Sequence, residues 1–249
     1  MDRRDVEDAM VPVPDSGRVF RRGQEVRLAD VSPGGRLRLD AFARYLQDVS
    51  NDDARDSGIP DPMAWVVRRM AVEVRQFAIF GEVLELTTFC SGIGSRWAER
   101  RVSAVGDRGA VMNAATVWVH LDLDTMTPKR LPIEFEGVYG EAAGGRAVRS
   151  RLVHPNPPGG AESKRWPVRF ADFDLLGHVN NAAYWAPVEE LLAVHRDRRA
   201  PMRAELEYRA PIEVGHELGL VVVDGVQLRA WLVSEEAGVH SSVVVESLP

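Results

Sequence analysis

One order of elements is written twice along this chain, and that repetition limits the fold more than any other feature. In the first pass a strand pattern at 19–28 runs into a turn at Ser32-Pro33-Gly34-Gly35. A helix follows, with Asp40 read as its N-cap and Phe42, Tyr45, Leu46 and Val49 at i, i+3, i+4 and i+7 on one face. Gly58 and Pro60 stop it, and four strand patterns come next, at 65–77, 83–91, 96–105 and 111–121. In the second pass a strand at 166–170 meets a turn at 172–177, and Asn180 or Asn181 caps a helix. Its inner face carries Tyr184, Val188, Leu191 and His195, with a kink expected at Pro187. Strands at 204–208, 218–223, 226–233 and 239–246 complete the unit, the last three joined by hairpin turns.

A single helix wrapped by an antiparallel sheet is a hotdog unit. Alone it leaves a helix and a sheet edge poorly covered, so a second copy in the same chain supplies the partner. The expected class is α+β: two tandem hotdog repeats, each an antiparallel sheet around a central helix, forming an intramolecular double hotdog. Ala29-Asp30 aligns with Ala171-Asp172, Phe42 with Tyr184, Leu46 with Val188 and Gln47 with Glu189. The stretch 139–164 is rich in Gly, Pro, Ser and Arg and reads as a linker between a first repeat at 18–138 and a second at 165–249.

Composition excludes several classes of function. With 249 residues and 45% hydrophobic content a sizeable core can form. A net charge of -6 argues against a nucleic-acid partner. The lone Cys90 cannot close an internal disulfide, and the acidic start MDRRDVEDAM is no secretory signal. No run reaches the roughly 18 apolar residues of a membrane span. A cytoplasmic protein is expected, with no membrane association and no cofactor. Lys129 and Lys164 are the only lysines among many arginines, a bias that suggests a GC-rich bacterial genome.

The chemistry concentrates at 169–184, RFADFDLLGHVNNAAY. A carboxylate at the tip of a turn can take a proton from water or attack an acyl carbonyl. Backbone N–H groups at the start of a helix can hold an oxyanion. Asp174 is the expected base or nucleophile. His178 and Asn180 are expected to assist, and Asn181 and Gly177 to support the oxyanion. The stretch resembles the Asp-x-Asp-x-x-Gly-His-Val-Asn-Asn signature of hotdog thioesterases. The segments 64–74, Gly92-Ile93-Gly94 and Thr116-Val117-Trp118-Val119 resemble those of the acyl-acyl-carrier-protein thioesterases of plants and bacteria.

That resemblance implies hydrolysis of fatty acyl-acyl carrier protein (acyl-ACP) to a free fatty acid. The partner would be the carrier protein, or a coenzyme A thioester, and the layout allows a homodimer of double hotdogs; the alternative readings are an acyl-CoA thioesterase and a non-hydrolytic hotdog that binds acyl chains or a protein partner. Two positions depart from the plant pattern. Leu176 stands where those enzymes carry Asn. After Leu206-Glu207-Tyr208-Arg209 the chain continues Ala210-Pro211-Ile212 in place of an acidic residue or Cys; Glu213 is the nearest acid.

Ser32 stands where Asp174 aligns, so one active site per chain is expected, with the first repeat holding the acyl chain. Trp65, Met70 and Tyr184 are the expected substrate contacts, with Phe77 and Phe80 as further lining. Cys90 reads as core. His120, His154, His195, His216 and His240 lack metal-ligand spacing, so no metal is expected. Arg68, Arg69, Arg75, Arg96, Arg100, Arg101, Arg196, Arg198 and Arg199 are candidates for steering an acidic carrier.

Overall fold

The computed structural model describes residues 10–59 and 65–249. Pro60, expected to stop the first helix, and residues 1–9 lie outside that range. The first half contains β1 (Val19–Glu25), α1 (Leu39–Ser57), β2 (Trp65–Gln76), β3 (Val83–Ile93), β4 (Trp97–Gly106) and β5 (Val111–Asp122). A two-residue β6 (Thr127–Pro128) and a helix α2 (Ile133–Ala143) follow. The second half contains β7 (Ser163–Trp166), α3 (Ala186–Val194), β8 (Met202–Tyr208), β9 (Leu218–Val223), β10 (Leu228–Ser234) and β11 (Gly238–Ser247).

The strands form one antiparallel sheet in the order β1-β3-β4-β5-β2-β8-β11-β10-β9-β7, with β6 on β5. Read outward from the middle, each half has the same internal order. The seam between β2 and β8 has a register that exchange of the halves reproduces: Arg69 faces Glu207 and Glu73 faces Arg203, while Ala71 and Glu205 face each other at the centre. A local two-fold therefore passes through the Ala71–Glu205 pair. One apolar core runs under both halves. It takes Phe42, Leu46 and Val49 from α1 and Tyr184, Val188 and Leu191 from α3, all buried. Each such side chain contributes roughly 1.5–3 kcal/mol by burial.

Several expected boundaries move, each for a physical reason. The strand expected at 166–170 is displaced: β7 ends at Trp166, and Pro167, which lacks a ladder N–H, is followed by a 3₁₀ turn at Phe170–Asp172. Its counterpart Leu28–Asp30 is also 3₁₀, so the first strand ends at Glu25. Asp40 does not cap α1. Arg38 is the N-cap residue, and the Asp40 carboxylate lies in the first turn, paired with Arg38 and Arg44. Pro187 causes no kink inside α3. The chain is 3₁₀ over Ala183–Trp185, and Pro187 falls in the first turn of the α-helix, where no intrahelical N–H bond is lost. His195 ends α3 as its C-cap residue, with its ring on Asp224. The span 139–164 begins inside α2, which packs on β3 and β4 through Phe135, Tyr139 and Ala143 against Cys90 and Ala98. No helix among the described residues is long and apolar enough to cross a membrane.

Candidate active site

Two turns, one per half, are held by the same backbone bonds. In the first, Ser32 N–H donates to Arg36 O (2.8 Å), Gly35 N–H to Ser32 O (2.8 Å), Leu37 N–H to Ala78 O (2.7 Å) and Arg38 N–H to Asp30 O (2.9 Å). In the second, Asp174 N–H donates to His178 O (2.9 Å), Gly177 N–H to Asp174 O (3.1 Å), Val179 N–H to Ile212 O (2.9 Å) and Asn180 N–H to Asp172 O (2.8 Å). Gly35 and Gly177 have φ of 81° and 77°, left-handed values at which a side chain is strained. Gly177 thus lets the chain reverse at this turn.

The second turn brings the five expected residues Asp174, Gly177, His178, Asn180 and Asn181 onto one short loop. Asp174 is half-buried, and its Oδ1 accepts Leu176 N–H at 2.9 Å. The other carboxylate oxygen has no hydrogen-bond partner among the described residues. Asn180 Oδ1 accepts Ala182 N–H at 2.9 Å, and Asn180 O accepts Ala183 N–H at 2.8 Å. The second of these fixes the plane of the peptide whose N–H belongs to Asn181. Tyr208 Oη donates to Asn181 O at 3.0 Å and accepts Trp185 Nε1–H at 3.2 Å, which pins the next peptide. Asn181 N–H itself has no partner among the described residues. His178 pairs backbone to backbone with Glu213 in an isolated antiparallel bridge. Glu213 therefore stands opposite His178, a proximity invisible in the Ala210-Pro211-Ile212 spacing. No hydrogen bond joins the His178 ring to the Asp174 carboxylate among the described residues.

Tyr184, expected against substrate, is buried, and its hydroxyl accepts Ile212 N–H at 3.2 Å. Burial pushes its phenol up, and the Asp174 charge adds to that against the Ile212 bond. Met70 is 1% exposed in the core. Trp65 does line an open cleft in the first half, between α1, α2 and the sheet. Ser50, Asn51, Ala54 and Ser57 of α1 form one wall; Trp118, Phe135 and Tyr139 close others. Phe77 instead lies under the Arg36 guanidinium at 4.6 Å, and Phe80 is exposed. Cys90 also borders the cleft, and burial pushes its thiol up to about 11, which keeps it protonated near neutral pH.

The fold assembles two groups that spacing did not reveal. Arg100, with Asp53 and Tyr139, forms a buried ion cluster beside the cleft. His154, Glu205 and Glu207 converge closely enough to hold a cation. Their charges are already answered: Glu207 accepts His154 N–H at 3.0 Å and pairs with Arg209, and Glu205 pairs with Arg203 at 2.8 Å. Burial pushes the Glu205 carboxyl up, but the His154 hydrogen bond and the Arg203 and Arg69 charges outweigh it and hold it at about 2. Arg100 and Arg101 have side chains turned inward and cannot steer a partner; Arg75, Arg96, Arg196 and Arg199 are exposed.

The family model for the acyl-ACP thioesterase N-terminal domain matches residues 17–139, and that for the C-terminal domain matches 156–242. An uncharacterized protein of Mycobacterium tuberculosis is 32% identical over 218 residues, covering 86% of each chain. A chloroplastic palmitoyl-acyl carrier protein thioesterase of Arabidopsis thaliana is 23% identical over 78% of this chain, which spans about half (52%) of that relative's length. In structure, the 12:0-ACP thioesterase from Umbellularia californica superposes with a TM-score of 0.75 at 20% identity, covering 92% of this chain and 96% of that one. An acyl-ACP thioesterase from Bacteroides thetaiotaomicron superposes at 0.70 and 18% identity, covering 92% and 97%.

Proposed function

The chain belongs to the acyl-ACP thioesterase family and is a thioester hydrolase; from that premise we propose that it releases fatty acids from acyl carrier protein, with Asp174 as the reacting carboxylate. The reading takes the two five-stranded halves as two hotdog repeats, 18–138 and 165–249, joined through 139–164. The observation that carries it is a half-buried carboxylate on the same loop as an oriented, unfilled N–H at Asn181.

The chemistry follows from that pairing. Asp174 removes a proton from water, and the hydroxyl oxygen adds to the thioester carbonyl. Negative charge moves to the carbonyl oxygen, where Asn181 N–H receives it. Collapse breaks the C–S bond, and the thiolate takes up the proton that Asp174 holds. His178 and Asn180 flank the carboxylate and position the water, and Gly177 shapes the loop. The acyl chain lies in the first-half cleft against Trp65. Met70 and Tyr184 back that arrangement from the core.

The test is fatty acid release from C8 to C18 acyl-ACP and acyl-CoA, side by side, at several salt concentrations. The expected result is hydrolysis of acyl-ACP with a kcat/KM that falls as salt rises, because the exposed arginines attract an acidic carrier. Equal salt dependence for both substrates favours coenzyme A esters, or a carrier docked on the apolar rim of Phe170, Leu175 and Leu176, all exposed. No release from either substrate overturns the reading.

A further inference from the structure

The closed turn of the first half shows what the open turn of the second is built to hold. Leu39 N–H occupies the place in the first half that Asn181 N–H occupies in the second. It is filled: Glu189 Oε1 accepts it at 2.6 Å. The same carboxylate is gripped by both Arg36 guanidinium nitrogens, at 3.0 and 2.9 Å. Glu189 comes from α3, so the plug of one half is supplied by the helix of the other. An anionic oxygen on that N–H is the internal stand-in for the oxyanion of a thioester adduct.

Exchange of the halves carries Leu39 to Asn181, Arg36 to His178 and Glu189 to Gln47. Gln47 lies on α1, is half-buried, and has no hydrogen-bond partner among the described residues. It stands three and four residues before Ser50 and Asn51, on the α1 face that lines the cleft. Gln47 is therefore placed between the catalytic turn of one half and the cleft of the other. Its chemistry differs from that of Glu189 in the way the open turn requires. A carboxylate at position 47 would fill Asn181 N–H as Glu189 fills Leu39 N–H. An amide is neutral and carries two N–H donors.

Resting on the function proposed above, we propose that Gln47 Nε2–H and Asn181 N–H together hold the thioester carbonyl oxygen. The active site is then completed across the two halves. Gln47 is a catalytic residue that strengthens its bond as charge develops, so its loss falls on kcat more than on KM.

The experiment compares the full-length wild type with Gln47→Ala, Gln47→Glu and Asp174→Asn on one acyl-ACP substrate, between pH 5 and 8.5. Gln47→Ala is expected to lower kcat about 10- to 100-fold with KM within about threefold. Gln47→Glu is expected to lose about 10²–10³ at pH 8, where its carboxylate occupies Asn181 N–H. The ratio of its rate to wild type should rise as acid protonates that carboxylate. Gln47→Glu is isosteric, so it decides the matter if Gln47→Ala folds poorly. Both Gln47 variants within threefold of wild type, while Asp174→Asn has lost its activity, overturn this inference and leave the proposed function standing. A Gln47→Glu deficit that stays constant across pH overturns it as well. A wild type that releases no fatty acid removes the proposed function and this inference together.

Discussion

The turns at Ser32 and Asp174 share four equivalent backbone hydrogen bonds, yet one is sealed by an ion pair and the other is open. Both hang on a carbonyl of the following strand region, Ala78 or Ile212, and both reverse at a left-handed glycine. The difference lies in a few side chains. Ser32, Arg36 and the incoming Glu189 make the first turn a structural joint between the halves. Asp174, His178 and Gln47 leave the second with a carboxylate and an unfilled donor. Backbone geometry alone thus does not make a catalytic site. The fold supplies two similar frames, and side-chain charge fills the donor in one and leaves it unfilled among the described residues in the other.

The largest effect is expected from writing the first turn into the second. Asp174→Ser should lower kcat/KM for acyl-ACP by about 10²–10⁴, the range for loss of a positioned base. Retention of more than a third of the activity would mean that the two turns do not differ where it matters. The halves also differ on the two-fold itself, where Ala71 faces Glu205. The folded Glu205 carboxyl sits at about 2, below its ordinary value near 4.5. Its contribution, on the order of 3 kcal/mol, is present above the unfolded value and lost as pH falls from about 4.5 through about 2. Urea midpoints between pH 6 and pH 2.5 should fall for wild type and fall less for Glu205→Gln. Parallel curves would remove Glu205 as the cause.

A smaller effect is expected at the sealed turn. Glu189→Leu strands the half-buried Arg36 and opens Leu39 N–H, at a cost of about 2 kcal/mol. Thermal unfolding should shift down by about 4–8 °C. A shift below about 1 °C would show that the pair does not brace the two halves. The smallest effect belongs to Ser32→Ala, with kcat/KM within about twofold of wild type and stability within about 0.5 kcal/mol. Loss of turnover there would show that the sealed turn takes part in the chemistry.

Much of this was legible from short-range patterns. The periodicity of Phe42, Leu46 and Val49, and of Tyr184, Val188 and Leu191, gave both core helices. The Asp-Gly-His-Asn-Asn spacing located the turn because it is a local structure with local bonds. What escaped was set by contacts between distant segments. Asp40 read as a cap, whereas the group that takes Leu39 N–H is Glu189, 150 residues away. The helix at Ile133–Ala143 runs into a Gly-rich stretch, and its apolar residues find their partners on β3 and β4. His154, Glu205 and Glu207 meet only because the segment before β7 crosses β8. Trp65 lines the cleft, but Met70, five residues along the same strand, faces the core shared with the second half.

In the proposed function, the Asp174 carboxylate makes this chain a hydrolase of acyl-ACP. Asparagine at that position keeps an oxygen to accept the Leu176 N–H and so preserves the turn, while removing the charge and the basicity. The direct measurement is free fatty acid release from acyl-ACP by wild type and Asp174→Asn at matched concentration, with thermal unfolding recorded for both. The account predicts steady release by wild type, a loss of about 10²–10⁴ in the variant, and unfolding temperatures within about 3 °C of each other. Release by Asp174→Asn within threefold of wild type would contradict it.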